Sequence, residues 1–222
     1  MDCVKPIFEL PLSPAGILCT TSKGMELRIR PVRDGDAPGL QEAYLRLSDQ
    51  SKYNRFFQVR PTLNDQLASS LTAIDHENHY AWVVFEPNAV VATDDVELAA
   101  LAEESGLAIA SARLIRDKGD PQVAEAALAL VDAYQGRGIG RFLIELLVRT
   151  AADVGVHTLR FEVLRTNKPM IGLISGAGAT RHAIPGDATV VEYRLDIPEP
   201  TAVDIPIGAL YELLRMSASG WE

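Results

Sequence analysis

The sequence lacks the features typical of disulfide-rich, zinc-binding, nucleic-acid-binding and membrane proteins. Its two cysteines, Cys3 and Cys19, lie near the N-terminus with no Cys/His cluster elsewhere, so neither a disulfide framework nor a zinc site is expected. A net charge of −9, from 21 Lys and Arg against 30 Asp and Glu, argues against a general nucleic-acid surface. No apolar run reaches the roughly 18 residues of a membrane span, and the N-terminus lacks the pattern of a secretory leader. We therefore expect a cytoplasmic protein that binds neither membranes nor nucleic acid.

Length and composition favour one large domain with additional segments at its ends. The chain has 222 residues, of which 47% are hydrophobic and 23% charged, which suffices for a substantial core. Prolines interrupt the first residues, so residues 1–25 are interpreted as an N-terminal arm. The domain is expected over residues 26–198, with an acidic helical insertion at 88–106, and residues 199–222 are interpreted as a C-terminal tail.

The order of hydrophobic patterns predicts an α/β fold. Alternating apolar and polar residues, as in ELRIRPV and HTLRFEVL, are typical of half-buried strands. Apolar stripes at helical spacing lie between such stretches, and Asn64 and Asn167 are placed to cap two of the helices. This order indicates a mixed, mostly antiparallel central sheet flanked by helices.

The most informative stretch is VDAYQGRGIGRFLIELL, residues 131–147, in which three glycines separate an apolar run from an amphipathic one. A strand that enters a helix through a glycine loop presents free N–H groups and positive partial charge, which favours a phosphate group. Arg141 stands where the dinucleotide fingerprint has its third glycine, and no lysine follows as in a P-loop, so both motifs are excluded. A tight strand–helix turn is the plainer alternative, but Gln135, Arg137 and Arg141 exceed what a turn needs.

A motif within this stretch carries a resemblance to a known family. Gln135-x-x-Gly138-x-Gly140 resembles the acyl-CoA signature of the GCN5-related N-acetyltransferase (GNAT) family. The stretches RIRPVRDGDAPGLQEAYLRLSDQSKYNRFF, VAEAALALVDAYQGRGIGRFLI and VLRTNKPM are similar to the acetyltransferase domain of bacterial Pat-type protein lysine acetyltransferases. The resemblance extends from about Glu26 to Pro198 and implies a GNAT fold with acetyl-CoA as co-substrate.

The resemblance also implies roles for individual residues. The backbone of Leu128, Ala129 and Leu130 is expected to pair with the pantetheine arm of acetyl-CoA like an added strand. The residues expected around the diphosphate are Gln135, Gly136, Arg137, Gly138, Ile139, Gly140 and Arg141. Asn167 is expected at the distal end of the pantetheine, and Glu125 matches the catalytic glutamate of the Pat-type domain.

The chemistry of an amine acceptor calls for a carboxylate at this place. A lysine amine has an unperturbed pKa of about 10.4, so it must lose a proton before it attacks a thioester, and Glu125 is expected to be the base. A strand N–H near Leu130 is expected to stabilise the oxyanion, and no metal is required. Glu162 is an alternative base, for which we favour a structural role. No tyrosine follows the motif as a general acid, and Ser175 is a weak substitute.

The predicted activity is therefore acetyl-CoA-dependent N-acetyl transfer by direct attack of an amine. A protein lysine is the expected acceptor, for instance on an acyl-CoA synthetase. A small amine is the alternative acceptor, and a non-catalytic acyl-CoA-binding regulatory module is the alternative from another class. The acidic insertion is interpreted as a cover for the acceptor site or a dimer contact. Pat-type enzymes often carry a regulatory nucleotide-binding module, and we do not expect one within these 222 residues.

Overall fold

The computed structural model describes residues 16–20, 24–58 and 62–198, so the predicted C-terminal tail lies outside the described residues. The strands are β1 (Ile17–Thr20), β2 (Glu26–Pro31), β3 (His79–Glu86), β4 (Leu107–Arg116), β5 (Val123–Leu130), β6 (Thr158–Leu164), β7 (Thr180–Ala183) and β8 (Val190–Asp196). The helices are α1 (Ala37–Leu45), α2 (Asp49–Phe56), α3 (Asp65–Thr72), α4 (Val96–Ser105), α5 (Ile139–Asp153) and α6 (Lys168–Gly176).

The described strands form one sheet in the order β1-β2-β3-β4-β5-β6-β8-β7. Every neighbouring pair is antiparallel except β5 and β6, which are parallel. Helix α5 makes the long connection that a parallel pair requires. The predicted α/β fold with a mixed, mostly antiparallel sheet and flanking helices is confirmed.

Helices cover both faces of the sheet and form the core with it. On one face, α5 contributes the fully buried side chains of Leu143, Leu146 and Leu147. Burying a side chain of this kind stabilises the fold by about 1.5–3 kcal/mol. On the other face, α1 packs against β4 and α2 packs against β5. Strand β5 is therefore held between the two helical layers.

The parallel pairing of β5 and β6 is short. It runs from Val123 opposite Thr158 to Glu125 opposite Arg160. Beyond this point β5 stays paired with β4 as far as Leu130, while β6 stays paired with β8. The two halves of the sheet therefore diverge, and one backbone edge of β5 is left without a neighbouring strand.

Three elements differ from the sequence-based expectations or refine them. β1, which lies within the predicted arm, and β7 are four-residue strands at opposite edges of the sheet, and neither was predicted. All residues of β7 are exposed, so no burial alternation marks it. Helix α4 is the predicted insertion helix, capped by the Asp95 side chain. Among the helices of residues 16–20, 24–58 and 62–198, none has the length and apolarity needed to cross a membrane.

Candidate active site

A cleft of about 540 Å³ occupies the gap between β5 and β6. Its walls come from these two strands, the glycine loop, the starts of α5 and α6, and one side of α2. The cleft is lined by these residues that the sequence singled out: Glu125, Leu128, Ala129, Leu130, Gln135, Gly136, Gly138, Gly140, Arg141 and Asn167. Arg137 and Ile139 do not line it. The fold thus brings residues of several separate segments to one place.

The free edge of β5 offers main-chain hydrogen-bonding groups to the cleft. The Val131 N–H donates to the Ile109 carbonyl at 2.9 Å, on the β4 side. Because amides along a strand point alternately to its two edges, Ala129 also directs its amide toward β4. Leu128 and Leu130 direct theirs into the cleft. Of the three residues expected to hold pantetheine, these two have main-chain groups that an added extended chain can reach.

Two glycines of the loop adopt a backbone conformation that side chains disfavour. Gly136 has a φ of 72° and Gly138 a φ of 90°. The left-handed region costs other residues roughly 1–2 kcal/mol. A Cβ at either position would meet no atom within 4 Å, so conformation and not crowding calls for glycine. The empty space next to both residues belongs to the cleft.

The third glycine meets a packing requirement. A Cβ on Gly140 would lie 3.2 Å from the Cδ2 atom of Leu173, a residue of α6. Glycine therefore lets α5 and α6 approach closely. The side chain of the adjacent Ile139 is fully buried in the core, so only its backbone is available to a ligand at the start of the helix.

The start of α5 carries positive charge. Its N-cap residue, Gly138, supplies no side-chain acceptor, and its first turn contains no acidic residue. The N–H groups of this turn and the positive end of the helix dipole are therefore free to act on an anion. Arg141 is 82% exposed and pairs with Glu145 at 2.9 Å through its Nε atom. The Arg137 guanidinium lies 5.3 Å from the centre of the Tyr134 ring, outside the cleft wall.

Polar contacts dock α2 over the cleft. The Asp132 carboxylate accepts hydrogen bonds from the Ser48 N–H at 2.8 Å, the Ser48 hydroxyl at 2.7 Å and the Ser51 hydroxyl at 2.8 Å. Burial works against ionisation of Asp132, but these hydrogen bonds outweigh it and hold its pKa below the usual range. The Gln135 Nε2 group bridges the Leu130 carbonyl at 3.3 Å and the Ser51 hydroxyl at 3.4 Å. Gln135 therefore ties the glycine loop to both β5 and α2.

Asn167 has two roles that its geometry makes compatible. Its Oδ1 atom accepts a hydrogen bond from the Met170 N–H at 3.2 Å and so caps α6. The residue also lines the cleft, and its Nδ2 group makes no hydrogen bond to the described residues. A ligand in the cleft can therefore accept a hydrogen bond from this amide.

Glu125 lies where β5 and β6 diverge. Its side chain is exposed and lines the cleft, and its carboxylate forms no hydrogen bond or ion pair with the described residues. Glu125 acts electrostatically on Arg55 of α2: burial lowers the pKa of Arg55, and the charge of Glu125 acts in the opposite direction. A carboxylate in this position can accept a proton from an amine bound in the cleft.

Glu162, the alternative base, also lines the cleft with an exposed side chain. Glu162 forms no ion pair with an arginine among the described residues. Its neighbour Arg160 instead pairs with Asp117 at 3.5 Å and Glu192 at 3.8 Å. The cleft thus contains two exposed carboxylates, so the geometry alone supports either as the base.

The described residues give no clear general acid. No tyrosine lines the cleft, and Ser175 lies outside it. Tyr134 donates a hydrogen bond to the Glu86 carboxylate at 2.6 Å, and burial followed by this bond raises its pKa to about 12. Within the described residues, no three His, Cys, Asp or Glu side chains converge as a metal site would require.

Helix α2 forms the wall that sequence reasoning missed. Ser51, Asn54 and Arg55 of this helix and the following Phe57 line the cleft. The stretch SKYNRFF predicts a short helix, but no local signal relates it to a loop 80 residues away along the chain. Helix α4 packs against α1 and does not line the cleft, so the acidic insertion is not a cover for this cleft.

Comparison with known proteins identifies the family of this chain. A sequence model described as the acetyltransferase (GNAT) domain matches residues 26–180. The acetyltransferase Pat of Mycolicibacterium smegmatis is 32% identical over 194 residues, which cover 84% of this chain and 53% of that protein. The chain therefore spans about half the length of this curated relative.

Solved structures share the fold. The GNAT domain of S. lividans PAT matches with a TM-score of 0.68 and 27% identity, covering 82% of this chain and 97% of that domain. The yncA structure from Salmonella typhimurium, which contains its cofactor acetyl-CoA, matches with a TM-score of 0.53 and 18% identity, covering 81% of this chain and 98% of that one. The second match shows the fold alone. The resemblance seen in the sequence is thereby confirmed, and this chain belongs to the GNAT family of acetyltransferases.

Proposed function

We propose that this chain is an acetyl-CoA-dependent N-acetyltransferase that modifies a protein lysine, with Glu125 as the general base. The observation that carries the proposal is a single cleft in which three features meet. These are the free backbone edge of β5, the start of α5 without a side-chain cap, and the exposed carboxylate of Glu125. The first two features suit the pantetheine and diphosphate of CoA, and the third suits an amine.

Each group has a definite part in the transfer. Acetyl-CoA supplies the activated acyl group as a thioester. The first turn of α5 and Arg141 hold the diphosphate, and the main chain of Leu128 and Leu130 holds the pantetheine. Glu125 takes the proton from the incoming ammonium group so that its nitrogen can attack. The Leu130 N–H donates to the carbonyl oxygen as negative charge develops on it.

A protein lysine fits the charge and shape of the other end of the cleft. Glu125 and Glu162 are both exposed there and attract a cationic side chain. Ile115, which is 43% exposed, lies opposite Glu125 in the sheet register and offers apolar surface beside it. The resemblance to Pat-type enzymes and the similarity to Pat support the same acceptor class.

The test uses quantitative mass spectrometry of a deacetylated cell lysate incubated with labelled acetyl-CoA. The samples are the native protein, Glu125→Gln, the matched variant Glu162→Gln, and a sample without protein. We expect a small set of lysines to gain label with the native protein and with Glu162→Gln but not with Glu125→Gln. Equal labelling by the native protein and Glu125→Gln would contradict the base assignment.

Two other outcomes would favour one of the alternative functions. Thiol release with a panel of small amines, without lysine labelling above the protein-free sample, would identify a small-amine acetyltransferase. Acetyl-CoA binding without thiol release from any amine would identify a binding module.

A further inference from the structure

A second cavity lies on the other side of β5 from the cleft. This inner cavity, of about 50 Å³, lies between the sheet and helices α1 to α3. Its walls are mainly apolar, and among the described residues the charged side chains that line it are those of Arg55 and Arg113. Leu47, Arg55 and residues 129–130 line both spaces, so the inner cavity adjoins the cleft at the free part of β5.

Arg113 is a buried cation without a carboxylate partner among the described residues. Only 4% of the residue is exposed. Its guanidinium donates to the Leu71 carbonyl at 3.1 Å and lies 3.4 Å from the Nε2 atom of His79. Burial, followed by the charge of Arg113, lowers the pKa of His79 to about 4, so this imidazole is neutral at pH 7 and adds no charge beside the arginine.

The charges around the inner cavity do not cancel. Glu125 acts electrostatically on Arg55, whereas the charge that acts on Arg113 is that of Arg55. Burial, followed by this like charge, lowers the pKa of Arg113 to about 9. Among the described residues, the carboxylate that acts on this pair of cations is thus Glu125, which acts on Arg55 and lies at the cleft. Burying a charge without a counter-charge is costly, and an anion in the inner cavity would remove that cost.

We propose that the inner cavity receives the carboxylate end of a short dicarboxylic acyl group, so that this chain accepts thioesters such as succinyl-CoA. The proposal rests on the proposed function because the acyl group must arrive on CoA in the cleft. A carboxylate matches the planar fork of an arginine and can form two parallel hydrogen bonds with it. A water molecule needs roughly 10–15 Å³ of such volume, so the inner cavity has room for a few non-hydrogen atoms.

The reaction is the same transfer with a different acyl group. The amine nitrogen forms an amide bond to the thioester carbon, and the carbon–sulfur bond breaks. The proton leaves the amine for Glu125, and CoA departs with the electron pair of the broken bond and is protonated to the thiol. The terminal carboxylate stays ionised beside Arg113 and takes no part in bond making.

The first test is calorimetric binding of succinyl-CoA, butyryl-CoA and acetyl-CoA to the full chain. Succinyl and butyryl groups have the same chain length and differ in the terminal carboxylate. We expect succinyl-CoA to bind at least about tenfold more tightly than butyryl-CoA, because only it satisfies the buried arginine. Equal or weaker binding of succinyl-CoA would overturn the proposal.

Thiol release with a lysine peptide separates this proposal from the proposed function. Turnover of acetyl-CoA with no preference for succinyl-CoA over butyryl-CoA in binding or turnover overturns the acyl assignment alone. Absence of turnover with every thioester overturns the proposed function. The ratio of the affinities for succinyl-CoA and butyryl-CoA then tests the assignment of the inner cavity independently.

Two variants localise the effect. Arg113→Met removes the charge at similar length, and we expect it to abolish the preference for succinyl-CoA. The matched control is Arg116→Met, because Arg116 lies on the same strand and donates to the carbonyls of Glu77, Pro121 and Val154 outside the inner cavity. Arg116→Met should keep the native ratio of the affinities for succinyl-CoA and butyryl-CoA. If circular dichroism shows that Arg113→Met is unfolded, Arg113→Lys replaces it, because lysine keeps the charge but lacks the planar fork. We expect a lower preference for succinyl-CoA in Arg113→Lys, and an unchanged preference would contradict the proposal.

Discussion

The cleft and the inner cavity share β5 as a wall but are built by different means. The cleft presents strand amides, glycines in left-handed conformation and a helix N-terminus, so much of its polar surface is main chain. The lining of the inner cavity is mainly apolar, and among the described residues its charged side chains are two arginines. Main-chain groups suit the CoA moiety, which is the same in all CoA thioesters, because main-chain groups are present whatever the side chains are. Buried charged side chains suit the acyl group, which differs from one CoA thioester to another.

The largest expected effect is at Glu125. This residue lines the cleft and acts electrostatically on Arg55, which lines both the cleft and the inner cavity. We expect Glu125→Gln to lower kcat for lysine acetylation roughly 10²–10⁴-fold, the usual contribution of a general base, with little change in KM for acetyl-CoA. Steady-state kinetics with a lysine peptide measures both constants. Glu162→Gln serves as the control, and an equal loss in both variants would mean that the two carboxylates share the role.

The next largest effect is expected at the main chain of the glycine loop. Gly138→Ala forces a side chain into the left-handed region at a cost of about 1–2 kcal/mol, so the Kd for acetyl-CoA should rise about tenfold as the loop shifts. Gly155→Ala is the matched control, since Gly155 has a φ of 71°, open space around it and a position beyond the far end of α5. It should lose similar stability and keep the native Kd. An equal rise in Kd for both variants would show that general strain, not the loop, weakens binding.

A smaller effect is expected from the exposed charge beside the helix start. Arg141→Gln should raise the Kd for acetyl-CoA a few-fold at low salt, and the difference should shrink near 1 M salt, where the Debye length is about 3 Å. Isothermal titration at two salt concentrations measures this. Arg33→Gln removes an arginine that also pairs with a glutamate, Glu104, but is 38% exposed and does not line the cleft. If both substitutions weaken binding equally, the contribution of Arg141 is not local.

The smallest effect concerns the docking of α2 by Asp132. A carboxyl whose pKa is lowered in the folded state stabilises the fold above its unfolded pKa of about 4, and this contribution is lost as pH falls through the lower folded value. We therefore expect Asp132→Asn to unfold at lower urea than the native protein at pH 7, with the difference shrinking toward pH 3.

Asp153 should contribute to the pH dependence of stability in the opposite direction, because its pKa is raised whereas that of Asp132 is lowered. Burial raises its pKa despite the nearby Arg149, so its ionisation costs stability as pH rises from 3 to 7. The difference between Asp153→Asn and the native protein should therefore move in the opposite direction over this range. Parallel pH profiles for the two variants would contradict the assigned origin of these shifts.

The parts that were predicted correctly depend on local pattern. The strand, glycine loop and helix around residues 126–153 follow from apolar periodicity and from the conformational freedom of glycine, both of which operate within a few residues. Helix α2 as a wall of the cleft was not predictable in this way, because the Ser51–Asp132 contact joins residues 81 positions apart. β7 was missed because all its side chains are exposed and no alternation marks it.

By itself, the sequence determined the strand, the glycine loop and the helix start around residues 126–153, because the groups that form them are neighbours along the backbone. The tertiary structure alone decided that Glu125 lies at the point where β5 and β6 diverge and that Arg113 is buried without a carboxylate among the described residues. Both outcomes depend on strand register and on how α2 and α3 pack on the sheet. Residues far apart in the chain set these contacts, so no local pattern contains them.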